Sequence, residues 1–227
     1  MLKNKKNINK ILYIIAIINL FNIIIIAPLY FISFNENYYF NYFEKYDLYD
    51  NINANKEQIQ GNFSQVLNYV KGDINYIGIG IFNEREILHL KDVKNLFYFG
   101  KLLLAIHAFL LIIIFSYLNK QLIFDILKKS SIFCLSFLSL VTLYSLIDFT
   151  TTFIIFHEIL FTNDLWILSY QTDNLIRILP EELFFELGLK WFALSGFFSL
   201  SIYLISIQNK IKKWFKYFLS LIKDTNY

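Results

Sequence analysis

Residues 156–185 read FHEILFTNDLWILSYQTDNLIRILPEELFF. The stretch sets His157, Asp164, Trp166, Asp173, Arg177 and Glu181 among large apolar side chains, and an apolar run stands on either side of it. Such a segment is too apolar for a free loop and too polar for the bilayer core, so it belongs against a membrane interface, where Trp and amphipathic faces are favoured. Its expected partner is residues 84–93, EREILHLKDV, which carry a second histidine just ahead of another apolar run.

Composition sets the class. Of 227 residues 56% are hydrophobic, and the mean hydropathy is +0.47. The apolar residues come in blocks rather than at amphipathic spacing, which is the pattern of a membrane protein. Aromatic residues make up 19% of the chain, which together with many Ile, Asn and Lys reads as AT-rich codon usage as much as function. A single cysteine, Cys134, excludes an intrachain disulfide framework and a cysteine-based metal site.

Four runs approach the roughly 20 apolar residues needed to cross about 30 Å of hydrocarbon. They are 11–34, 98–118, 132–149 and 187–207. The first follows a basic start but is longer than a signal-peptide core and shows no A-x-A-like cleavage site, so it is expected to be a retained helix. Lysines concentrate in the N-terminus, in 119–131 and in the tail 208–227. The excess of positive charge places those three segments in the cytoplasm, and 35–97 and 150–186 outside. The net charge of +3 is accounted for by this orientation and calls for no nucleic-acid partner. The domain reading is therefore N-terminus and first span 1–34, extracytoplasmic cap 35–97, second span 98–118, cytoplasmic loop 119–131, third span 132–149, interfacial segment 150–186, fourth span 187–207 and tail 208–227.

Within the cap, residues 35–58 alternate aromatic and charged side chains without a clear period and read as strand or loop. Residues 58–70 place Ile59, Phe63, Val66, Leu67 and Val70 at helical spacing, with Gly72 as a stop. Residues 76–82, YIGIGIF, alternate in the manner of a strand, and their glycines lack the helix that a phosphate-binding loop needs. The fold class expected is mainly α, four transmembrane helices with a small extracytoplasmic α+β cap.

Three histidines are present. On a helix through 84–97, Glu86, His89 and Asp92 fall close to one face, where flanking carboxylates could fix a tautomer. His157 follows Asp148 and a Thr-rich span end; Asp164 lies two turns on, roughly 10 Å away on a continuing helix, so any group orienting His157 comes from elsewhere. His107 sits in mid-span and reads as an interhelical hydrogen bonder or cavity lining. Asp173 and Arg177 are i,i+4 partners if helical, and Pro180 with Glu181 and Glu182 starts a helix. Each of these residues alone has a structural explanation: solvated charges, a helix-end histidine, an interfacial Trp. Their density in one apolar segment argues for a site.

The segments EREILHLKDVKNLF, FHEILFTNDLW and DNLIRILPEELFF, with the order of the spans, resemble the bacterial lipoprotein intramolecular transacylase family. One departure is Ser169-Tyr170, where the family pattern runs closer to Asp-Pro. The resemblance implies a bacterial cytoplasmic-membrane enzyme with its site on the outer face. That enzyme moves the sn-2 acyl chain of a diacylglyceryl-cysteine lipoprotein to the cysteine α-amine, giving a lyso-form product. By the same resemblance His89 and His157 are the catalytic residues, supported by Glu86, Asp92, Asp148, Asp164, Trp166, Asp173, Arg177 and Glu181. Diacylated lipoproteins and membrane lipid are the implied partners, with no cofactor and no metal. Two other classes remain open from the residues: a non-enzymatic membrane or lipoprotein-binding subunit, and a metal-dependent membrane hydrolase. The second lacks the histidine four residues after His157 that a zinc-protease helix requires, since Phe161 stands there.

Overall fold

The computed structural model describes residues 2–224 apart from Ile79, with side chains from Lys10 to Gln208 apart from Asn51 and Ile79. Eight α-helices follow in order among these: α1 Leu2–Ser33, α2 Glu36–Lys45, α3 Lys56–Lys71, α4 Glu84–Tyr117, α5 Lys120–Ile147, α6 Phe149–Leu160, α7 Asn174–Ile178 and α8 Glu181–Asp224. Helix accounts for 81% of the chain. Four of the helices contain candidate membrane spans, Lys10–Ser33, Glu84–Tyr117, Lys120–Ile147 and Glu181–Gln208. At about 1.5 Å per residue each exceeds the hydrocarbon thickness, so the protein is an integral membrane protein whose helices run past the apolar runs that define them.

The chain forms two compact units. The first comprises Met1–Ile26, Leu104–Leu140 and Ala193–Tyr227. Small buried residues, Ala16, Ser130, Ser131, Cys134, Ser195 and Ser199, let its helices approach closely. Polar ties add to the packing: Tyr13 donates to Asp125 Oδ2 at 2.6 Å, and the Ser199 hydroxyl to the Ser131 carbonyl at 3.1 Å. His107 has Asn19 Oδ1 2.6 Å from Nδ1 and Asn22 Nδ2 3.1 Å from Nε2. The carbonyl oxygen of Asn19 can only accept and the amide nitrogen of Asn22 can only donate, so Nδ1 is the donor to Asn19 and Nε2 the acceptor from Asn22. His107 is thus the interhelical hydrogen bonder that its mid-span position suggests.

The second unit comprises Ala27–Leu103 and Val141–Phe192. Its core gathers Tyr39, Tyr42 and Phe43 of α2, Ile59, Phe63, Val66 and Val70 of α3, Leu90 of α4, Leu175 and Ile178 of α7, and Leu183 of α8. Helix α3 has a capping box, in which Asn55 accepts from Gln58 N and Gln58 closes back on the Asn55 N–H, and it ends at Gly72 in the left-handed region.

The expected α+β cap is corrected, because no strand is present among the described residues. Residues 36–45 form α2, capped by Asn35, whose side chain accepts from Tyr38 N. Tyr39, Tyr42 and Phe43 fall at i, i+3 and i+4 and are the buried face. The stretch 76–82 is irregular, and Ile79 lies outside the described residues. Ile77 and Phe82 are both buried although they stand on opposite parities of a strand, because the chain turns at Gly80 with φ +53°. Carbonyls in and next to this stretch are taken by side chains instead of a ladder: Lys94 Nζ donates to Ile74 O and Asn174 Nδ2 to Ile81 O. A Cβ at Gly80 would collide with Asn62 Oδ1.

Candidate active site

Two helices supply the imidazoles. His89 lies on α4, and His157 on α6, which is separated from α5 by a break at Asp148. Asp148 accepts from the Thr151 N–H at 3.0 Å and from the Thr151 hydroxyl at 2.6 Å. It therefore caps α6 as an N-cap residue, and the helix of the third span ends just before it, at Ile147. Helix α6 is short and apolar; its Phe156 and Ile159 are exposed while His157 is buried.

The two rings stand 6.3 Å apart between centroids, inside the separation of about 10 Å that can flank one reacting centre. Both residues are 8% exposed. Aromatic rings form their surroundings. Phe161 meets His89 edge-on at 5.2 Å and lies 5.7 Å from His157. Phe153 packs 4.2 Å from His157, and Trp166 stacks on it at 4.8 Å with 26° between planes. Trp166 is therefore a wall of the histidine site.

His157 Nδ1 lies 2.7 Å from the Phe153 carbonyl. A carbonyl can only accept, so Nδ1 carries the proton and Nε2 offers a lone pair. Burial pushes the His157 pKa below its ordinary value, against the opposing effect of the Phe153 carbonyl. The ring is accordingly neutral, and suited to act as a base, at neutral pH. Among the described residues Nδ1 of His89 is buried without a hydrogen-bond partner. Buried polar atoms are normally paired, so this atom is left for a ligand or a water.

The sequence-predicted carboxylates and Arg177 hold neighbouring backbone and side chains. Glu86 is 1% exposed and closes a capping box at the start of α4: Asn83 N donates to Glu86 Oε2 at 2.6 Å, and Glu86 N to Asn83 Oδ1 at 3.0 Å. Its other oxygen accepts from Leu175 N at the start of α7. Asp173 accepts from Asn83 Nδ2 and Ser169 N, each at 2.6 Å. Burial raises the Asp173 pKa, but these bonds outweigh it and hold the carboxyl below its usual range. Arg177 donates to the carbonyls of Tyr170 at 2.7 Å and Gln171 at 2.8 Å, and its Nη1 to Asn174 Oδ1 at 3.0 Å.

Asp92 Oδ2 accepts from Asn163 Nδ2 at 2.9 Å, Arg85 donates to the Asp164 carbonyl, and Glu181 accepts from Thr150 at 2.6 Å. The connection between α6 and α7 is thus fastened to α4 at Asp92, at Arg85 and at Asn83 with Glu86. Helix α6 ends at Leu160, so Asp164 does not continue the face of His157. Asn83, Phe153, Phe161 and Asn163 complete the site and are not among the site residues expected from the sequence. Only Asn83 had a sequence signal, the Asn-x-x-Glu pattern of a capping box.

Among the described residues no group of three or more His, Cys, Asp or Glu is arranged to hold a metal ion. Two clefts flank the start of α8, one of about 260 Å³ at Ser145, Phe149, Glu181 and Phe185 and one of about 360 Å³ at Tyr42, Tyr46, Tyr170 and Arg177. Neither is lined by a histidine.

Four long apolar helices and a buried pair of imidazoles define an integral membrane protein with a site suited to acid–base chemistry. Residues 11–185 match the family described as lipoprotein intramolecular transacylase Lit. The chain belongs to that family and is an acyltransferase of the lipoprotein-modifying kind. Among solved structures it is similar to the membrane integral lipoprotein intramolecular transacylase Lit from Bacillus cereus, at 20% identity and TM-score 0.75, with 91% of this chain and 99% of that chain covered. It is also similar to two variants of that protein in which a histidine is replaced. For the arginine variant the identity is 19%, the TM-score 0.77 and the coverage 95% of this chain and 97% of that one. For the alanine variant the values are 19%, 0.77, 94% and 99%. No curated protein matches the chain.

Proposed function

We propose that the protein moves the sn-2 acyl chain of a diacylglyceryl-cysteine lipoprotein onto the α-amine of the same cysteine, with His157 and His89 as the catalytic pair. The observation that carries this reading is the pair itself, two buried imidazoles 6.3 Å apart, one with its tautomer fixed by a backbone carbonyl. The amine nitrogen attacks the ester carbonyl carbon while Nε2 of His157 accepts the proton that the amine loses. His89, kept neutral because burial pulls its pKa down to about 4, donates an N–H to the oxyanion, and the proton taken up by His157 then passes to the departing glycerol oxygen. The N–C amide bond forms, the C–O ester bond breaks, and one proton passes from nitrogen to the sn-2 oxygen. Donor and acceptor sit on one molecule, so orientation supplies much of the rate and no enzyme nucleophile is required.

In this reading Glu86, Asp92, Asp148, Asp164, Asp173, Arg177 and Glu181 position the segments that carry the histidines, and Trp166 fixes the plane of His157. The lysine-rich segments lie in the cytoplasm, both termini included, and the histidines face the outer leaflet of a bacterial cytoplasmic membrane. Membrane lipid surrounds the spans, and no nucleic acid takes part. The test is purified protein in detergent with a diacylated lipopeptide and no added phospholipid. The expected product has unchanged mass and a blocked amine, and His89→Ala or His157→Ala lowers its rate by about 10² or more. A product heavier by one acyl chain contradicts the reading.

A further inference from the structure

The cleft of about 360 Å³ beside the start of α8 is lined by Tyr42, Tyr46, Tyr170, Arg177, Pro180 and Glu182. Its walls are fixed. Glu186 accepts from the Tyr38 hydroxyl at 2.9 Å and the Tyr46 hydroxyl at 3.0 Å, tying α2 to α8. The guanidinium of Arg177 is held by the backbone carbonyls of Tyr170 and Gln171. Tyr42 differs from these. It is 5% exposed, its ring packs 4.5 Å from that of Tyr46, and it makes no hydrogen bond to a described residue. The hydroxyl tip of an otherwise buried tyrosine normally finds a partner. Burial, followed by the charges of Glu186 and Glu182, pushes the Tyr42 pKa up to about 12, so this tip is a protonated donor at the edge of the cleft.

The chemistry of the lining selects a ligand class. Arg177 and Glu182 bring both signs of charge, which suits a ligand without strong net charge. Tyrosines offer flat apolar faces and hydroxyls that can donate or accept, the combination that holds peptide groups with little dependence on side chains. An acyl chain would leave the Tyr42 hydroxyl unpaired. Position supports the same choice. Phe153 touches His157 at 4.2 Å and Phe184 at 5.4 Å, and Phe184 stands two residues from Glu182 on α8. Aromatic contacts thus run from the imidazole to the turn of α8 that bears Glu182 at the cleft.

We infer that this cleft binds the polypeptide of the lipoprotein substrate, receiving the extended residues that follow the acylated cysteine. The inference rests on the transacylase reading. It makes the enzyme a reader of peptide backbone as well as lipid, so that lipoproteins of differing sequence are accepted provided the chain leaving the cysteine is unfolded.

The experiment uses the full-length protein in detergent and a series of diacylglyceryl-cysteine amides extended by none, two, four and six residues. In the wild type kcat/KM rises about tenfold from the unextended to the six-residue substrate. Tyr42→Phe, which keeps the ring, raises KM for the six-residue substrate three- to tenfold at unchanged kcat, the scale of one hydrogen bond. The same variant treats the unextended cysteine amide as the wild type does. Tyr170→Ala serves as a second variant with the same expected pattern. A flat length dependence, or an equal loss on the unextended substrate, overturns the inference. Should the wild type acylate none of the series, the transacylase reading fails instead. The cleft is then judged by calorimetry, where tighter binding of the six-residue than of the unextended lipopeptide sustains it and equal binding overturns it.

Discussion

Replacing Glu86 with Gln tests whether the carboxylate beside His89 holds the site together or takes part in the chemistry. Its two oxygens accept from two backbone donors, Asn83 N and Leu175 N, and the side chain is 1% exposed. A glutamine amide keeps one acceptor and turns its NH₂ toward the other N–H. One hydrogen bond to a charged group, worth about 1.5–3 kcal/mol, is lost, and a buried donor is left unpaired. The net cost is about 3 kcal/mol, which for a chain of this size lowers Tm by roughly 6–12 °C. The lost bond is the one joining α4 to α7, or the one capping α4, so the segment bearing Trp166 loosens and activity falls at least tenfold. Thermal scans followed by tryptophan fluorescence in detergent read the first effect, and lipopeptide turnover well below the new Tm reads the second. An unchanged Tm would show that Glu86 is not the clamp described, and an activity loss at unchanged Tm would assign it a direct chemical role.

Trp166→Ala removes a ring stacked on His157, an interaction of about 0.5–1.5 kcal/mol, and is expected to lower kcat by about tenfold, well short of the loss from His157→Ala. Because the folded-state pKa of His157 is depressed, the unfolded chain takes up a proton that the native state refuses once pH falls below the ordinary value near 6.5. Stability is full above that value and is lost as pH falls toward the lower folded-state value. Tm measured from pH 8 to 5 should decline below about 6.5, and His157→Gln should make that slope shallower; an identical slope in the variant contradicts the assignment. Gly80→Ala places a Cβ against Asn62 at φ +53°, and a left-handed non-glycine residue costs about 1–2 kcal/mol. A Tm drop of roughly 2–8 °C is expected with kcat/KM unchanged, and no drop would mean the turn does not need glycine.

The four spans were legible because hydropathy blocks need no tertiary context. So was α3, whose apolar positions fall on one face between an Asn-capped start and Gly72. The α2 segment was not, because Tyr38, Tyr39, Phe40, Tyr42 and Phe43 are so dense that they satisfy helical and alternating periods alike. Burial of Tyr39, Tyr42 and Phe43 is what decides between them. The alternation in 76–82 misled for a related reason: a strand needs a partner to take its backbone groups, and here Asn174 and Lys94 take carbonyls in and next to the stretch. At the site, the two histidines stood out as rare polar groups beside apolar runs. The group that fixes the His157 tautomer did not, because it is a backbone carbonyl, and carbonyls leave no mark in a sequence. Glu86, Asp92 and Asp173 stood out by charge; their pairing with Leu175 N, Asn163 and Asn83 depends on contacts across 71 to 90 residues.

The account turns on the acyl chain staying within one lipoprotein molecule. The most direct measurement mixes two diacylated lipopeptides of different peptide mass, one with a deuterated sn-2 chain and one without, and follows the N-acylated products by fragmentation mass spectrometry. The account predicts that the deuterated amide is found only on the peptide that carried the deuterated ester, at any mixing ratio. Deuterated chain on the other peptide, in proportion to its share of the mixture, would contradict it.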